Sequence, residues 1–134
     1  MRHLALVLLV VLLACGPRTL KVTMNPDNNS GQSGFANLTE VSGTRTRIQV
    51  SIGASDVPAL ENAHVHFGHC GNIGAIWVPI NQLGPDPADT TLFSSDTTVD
   101  AGFSELTTGA YALNVHDSRD NGLYVSCGDL RPAP

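Results

Sequence analysis

Ala63-His64-Val65-His66-Phe67-Gly68-His69-Cys70 alternates small or apolar side chains with histidines. Successive side chains of a strand point to opposite faces, so Ala63, Val65 and Phe67 would meet a core while His64 and His66 project together from the other face. Two imidazoles at that spacing suit a metal ion. Near the end of the chain, Tyr111, Leu113 and Val115 alternate with Asn114 and His116, and Ser126-Cys127-Gly128-Asp129-Leu130 follows closely. A cysteine therefore follows each histidine group, close enough for one disulfide to tie the two regions together.

The residues around these segments read as further short strands. Leu20, Val22 and Met24 alternate with polar residues over 20–24, and a Pro, Asp, Asn, Ser and Gly cluster over 25–34 reads as a turn or loop. Candidate strands follow over 35–41 and 45–52, where Ile48, Val50 and Ile52 oppose Arg47, Gln49 and Ser51. Residues 76–80 carry Trp77, and Pro79 places this strand at an edge or at its own end. The Thr-rich segment 90–99 is extended, 103–108 suits one helical turn, and 110–116 is a strand. Asn121-Gly122 makes a polar turn into 123–127. Seven or eight short strands at this spacing imply an all-β sandwich or barrel, with Phe67, Trp77 and Tyr111 expected in its core.

The first residues have the form of an export signal. Arg2 supplies a positive charge, and Leu4 to Ala14 is an apolar run of eleven residues, too short to span a bilayer as a helix. Leu12-Leu13-Ala14-Cys15-Gly16 resembles a bacterial lipobox, which would make residues 1–14 a lipoprotein signal peptide and Cys15 the lipidated residue. Cleavage after Gly16 by the small-x-small rule is the alternative. Either processing removes Cys15 from the disulfide count and leaves Cys70 and Cys127 as a pair in an oxidising compartment. Residues 15–19 then form a tether and 20–134 a single domain, large enough for a core of its own. The expected location is the cell envelope, lipid-anchored at the inner or outer membrane and facing the periplasm or the exterior.

Charge and composition narrow the partners. Without Arg2 the chain has six basic against twelve acidic side chains, a balance that argues against nucleic acid and anionic lipid surfaces. Charged residues are only 14% of the chain, too few for long helices laced with ion pairs. Ser94, Ser95 and Ser104 lie in no Gly-x-Ser-x-Gly context, and no glycine-rich loop leads from a strand into a helix, so nucleophilic hydrolysis and nucleotide binding have no support.

The His-x-His strand, the nearby Cys70, the later Val115-His116 and the terminal Cys127-Gly128-Asp129-Leu130 resemble the skeleton of copper,zinc superoxide dismutase. They are more similar still to small exported bacterial proteins of the CHRD and superoxide dismutase-like group, over about residues 20–130. The resemblance implies a Greek-key β-sandwich of seven to eight strands with one disulfide, copper on His64, His66 and His116, and a Cys70 to Cys127 bridge. The chain also departs from the dismutase pattern. Between His66 and His116 it offers only His69, so no zinc site of the dismutase kind is expected. Ten residues separate His116 from Cys127, too few for the charged loop of those enzymes, and Tyr124 stands where their guiding arginine would be.

Three nitrogens from His64, His66 and His116, with water or His69 completing the shell, would serve copper or zinc. The same imidazoles would also fix surface loops by bonding backbone carbonyls and each other. Asp117 and Asp120 are candidates to hold a ligand imidazole from behind, or are simply the polar residues of a turn. The expected function is a cell-envelope lipoprotein with a three-histidine copper site for metal buffering or delivery. A copper-only superoxide dismutase and a metal-free structural or adhesion sandwich are the alternatives. Loss of the guiding arginine and of both functional loops weighs against the enzyme.

Overall fold

A computed structural model describes residues 15–132; residues 1–14, the expected signal peptide, lie outside the described residues. Eight strands and one short helix follow in order: β1 (Thr19–Pro26), β2 (Gly34–Ser42), β3 (Arg45–Gly53), β4 (Glu61–His69), β5 (Asn72–Pro85), β6 (Leu92–Val99), α1 (Phe103–Leu106), β7 (Tyr111–His116) and β8 (Tyr124–Asp129). Every pairing is antiparallel, and the spatial order is β1-β2-β3-β6-β5-β4-β7-β8, with β8 returning to β1.

Of the sandwich or barrel that the strand spacing implied, the structure is an all-β closed barrel, which fits the sandwich of the resemblance only loosely. Closure depends on two strands that change partners. β1 pairs with β2 from Thr19 to Met24 and then with β8 through Asn25 and Pro26. β5 pairs with β4 as far as Leu83 and then with β6 through Gly84 and Pro85. Each seam is therefore two residue pairs long, and outside the seams β1 over Thr19–Met24 and β5 up to Leu83 each have a paired strand on one side only.

The strands lie where alternation places them. Ile48, Val50 and Ile52 of β3 are buried, as are Val22 and Met24 of β1, Ala36 and Leu38 of β2, and Val65, Leu113 and Val115 of β4 and β7. These side chains fill one core, each worth about 1.5–3 kcal/mol for the larger ones. β5 is much longer than the expected 76–80. Its first residues continue the hairpin with β4 through Gly68 opposite Ile73 and His69 opposite Asn72. Gly68 adopts φ +97°, and a Cβ there would lie 2.4 Å from the Asn72 carbonyl oxygen, so this close approach requires glycine. Pro79 sits inside β5 where the strand has β4 on one side only, the edge position that tolerates a missing N–H.

Phe67, Trp77 and Tyr111 depart from their expected place in the core. Phe67 is 46% exposed, and Trp77 and Tyr111 are partly buried against the core. Phe67 and Tyr111 keep the inward parity of Val65 and Leu113 but lie where β4 and β7 run out. There the three rings pack on one another, with Trp77 stacked on Tyr111 at 4.3 Å between centroids.

Cys70 and Cys127 are joined by a disulfide. Cys70 lies in the turn between β4 and β5, whereas Cys127 is in β8, so the bond reaches across β7, the strand between them. The Cys70 N–H donates to Asp129 Oδ1 at 2.8 Å, which adds a second tie at the same place. Of the expected tether, residues 15–18 are irregular and Thr19 already belongs to β1. Cys15 is free and exposed.

Candidate metal centre

β4 and β7 are neighbours, with His64 opposite Asn114 and His66 opposite Ala112. The outward row of β4, His64 and His66, thus lies beside the outward row of β7, Ala112, Asn114 and His116. The cluster is compact. Ring centroids are 4.9 Å apart for His64 and His116, 5.7 Å for His64 and His66, and 5.9 Å for His66 and His116. One nitrogen from each ring lies within 4.8 Å of the other two. An ion holding imidazole nitrogens at about 2.0–2.1 Å would need ring shifts on the order of 1 Å.

Backbone carbonyls set the proton positions. His66 Nδ1 lies 3.0 Å from the Gly74 carbonyl oxygen and His116 Nδ1 lies 2.6 Å from that of Asn121. A carbonyl only accepts, so both Nδ1 atoms carry the proton and both Nε2 atoms present a lone pair. His116 Nε2 meets His64 Nδ1 at 3.0 Å, which makes His64 the donor in that bond. His66 Nε2 is buried and has no hydrogen-bond partner. That orphaned lone pair fits a ligand set of His66 Nε2 and His116 Nε2 with His64 Nδ1, provided that His64 shifts its proton from Nδ1 to Nε2 when an ion replaces its bond to His116.

The surroundings favour neutral imidazoles, the form that ligates. Burial is the main cause that lowers the His64 pKa, reinforced by the neighbouring His116 and His66. Burial also lowers that of His116, opposed in part by its bond to Asn121 and reinforced by His66. Tyr124 borders the cluster, with its ring 5.0 Å from His116 and 6.3 Å from His66.

Other expected roles fall differently. His69 ends β4 opposite Asn72, is exposed, and stands outside the three-histidine group. Asp117 is committed to Arg119, accepting from its N–H and guanidinium at 2.7–3.0 Å, which lowers its pKa to about 2. Asp120 Oδ1 accepts from the Gly122 N–H at 2.8 Å. Both carboxylates therefore shape the turn, and the Asn121 carbonyl holds His116 in their stead. Local geometry explains this: a carboxylate two residues from its N–H donor closes the turn before it reaches another strand.

An amide ladder supports that carbonyl. Gln82 Nε2 donates to Asn62 Oδ1 at 2.8 Å, and Asn62 Nδ2 donates to Asn121 Oδ1 at 2.8 Å. Asn62 precedes His64 by two residues and so shares its face, the one signal in the sequence that would have found it. Gly74 and Asn121 act through backbone carbonyls, which residue type does not reveal. The chain matches no protein-family model and no curated protein.

Proposed function

We propose that this protein is an exported, lipid-anchored envelope protein of the superoxide dismutase-like kind, whose barrel holds copper at His64, His66 and His116 for buffering or delivery. The observation that carries the metal reading is the convergence of three imidazoles, of which His66 and His116 are fixed by backbone carbonyls and His66 also keeps a buried Nε2 without a partner. Structural histidines satisfy their buried nitrogens, and this one does not. Copper, in place of zinc, follows from the family likeness alone. Within the barrel, β4, β5 and β6 form a meander and β7 returns beside β4. A Greek key has a strand order of this kind, which supports the likeness without establishing it.

Buffering or delivery is favoured over dismutation because, among the described residues, the basic side chain nearest His116 in sequence is engaged by carboxylates. Tyr124 lies beside the histidines, and Arg119 is paired with Asp117 and lies 3.9 Å from Asp56.

Titration of the mature protein with copper(II), followed by visible and EPR spectra, tests the site. One ion bound through nitrogen ligands is expected, with His66→Ala and His116→Ala each losing most of the affinity and His69→Ala losing little. Copper bound equally well by the triple histidine variant would sink the assignment and leave the metal-free structural reading. Fatty-acid labelling in cells tests the anchor: label on the wild type and none on Cys15→Ala is expected, and an unlabelled wild type refutes it.

A further inference from the structure

Asn114 occupies the middle of the face that carries the histidines. It stands opposite His64 of β4 on one side and opposite Cys127 of β8 on the other, and His116 follows two residues later on the same face. The residue is 0% exposed, and neither Oδ1 nor Nδ2 has a hydrogen-bond partner. A buried polar group left unpaired costs about 1–3 kcal/mol, whereas a leucine of similar size in the same place would leave nothing unpaired. His66 Nε2, within the cluster itself, is buried without a partner as well. Two unpaired buried groups at one cluster point to a shared partner.

We infer that Asn114 is a specificity-determining residue of the metal centre, its carboxamide oxygen facing the ion and favouring copper(II) over copper(I). This rests on the three-histidine reading above. Among the described residues no group hydrogen-bonds either end of the amide, and the side chain shares the histidine face at the register position opposite His64. Oδ1 is the negative end of the amide dipole, and its attraction for a cation grows with the ion's charge. A neutral oxygen donor also suits the harder, doubly charged ion better than soft copper(I).

The test uses Asn114→Leu and Asn114→Asp in the full mature chain. Affinities for copper(II) and copper(I) are measured by chelator competition, together with the reduction potential of the bound ion. Asn114→Leu is expected to lower the ratio of copper(II) to copper(I) affinity at least tenfold, which raises the potential by at least about 59 mV for this one-electron couple. Asn114→Asp is expected to move both in the opposite direction. Metal-free Asn114→Leu should melt no lower than the wild type, since it removes an unpaired amide. Ratios left unchanged by both substitutions overturn the inference while leaving the histidine site standing. A leucine variant that melts well below the wild type, or fails to fold, overturns it as well, because Asn114 would then be a structural residue. A wild type that binds no copper at the histidines overturns the site and this inference together.

Discussion

At His64 and His116 burial holds the imidazoles below the ordinary histidine pKa, and this ties stability to pH. The unfolded chain takes up protons at about pH 6.5, before the folded one does. Stability from these residues is therefore complete above that pH and is lost as pH falls through the lower folded values. Glu61 acts in the opposite sense. Burial raises its pKa despite the hydrogen bonds from Gln32, so it binds a proton more readily folded and favours the fold as the medium turns acid. Asp117, lowered to about 2 by Arg119, loses its contribution only as pH falls from the ordinary carboxylate range toward that value. Urea midpoints of the metal-free protein should thus drop between pH 7 and 5, and a His64→Gln, His116→Gln variant should flatten that drop. An equally steep drop in the variant would assign the acid sensitivity elsewhere.

The turn between β4 and β5 links the disulfide to the histidines. Cys70 is bonded to Cys127 of β8, and Gly74, four residues later, supplies the carbonyl that orients His66. The bond spans a sequence separation of 57 residues, and the chain-entropy account assigns such a loop about 4 kcal/mol. Cys127→Ser should lower the melting temperature far more than a surface substitution does. It should also weaken copper binding about tenfold, the usual cost of losing a group that orients a metal ligand. Scanning calorimetry and chelator competition measure the two effects. Loss of stability with copper affinity intact would show that the turn holds Gly74 without the disulfide.

Across the whole barrel, the two seams differ in support. The β1 and β8 seam includes Cys127 itself, and Gly128 packs so closely on β1 that an added Cβ would lie 2.7 Å from the Thr23 carbonyl oxygen. The β5 and β6 seam, Gly84 and Pro85, also contains one proline, as the other seam does in Pro26, but no disulfide lies on it. Asn81 reinforces it only from the exposed side, through Thr97 Oγ1 and the Asp96 carbonyl. Local opening follows the weakest packing. Hydrogen exchange read by mass spectrometry should therefore show peptides from 76–85 and 92–99 exchanging before those from β2 and β3. Equal protection throughout would mean that the seam is no weaker than the rest of the wall.

The strands at 45–52, 63–67 and 110–116 were legible because alternation is a property of consecutive residues, set by the pleat itself. The pairing of Cys70 with Cys127 followed from the two cysteines left once the expected export processing takes Cys15, and the His64 and His66 pair from their spacing. Closure into a barrel was not legible, because it depends on β1 and β5 changing partners, and register between distant segments leaves no local trace. Phe67 has the parity of a core residue, yet the barrel ends before it is covered. The acceptors for His66 and His116 are backbone carbonyls, and any residue could have supplied them. Residue order by itself determined which side chains share a face of a strand. Only the tertiary structure decided which faces meet, and so brought His116 beside His64 and left Asn114 buried without a partner between His64 and Cys127.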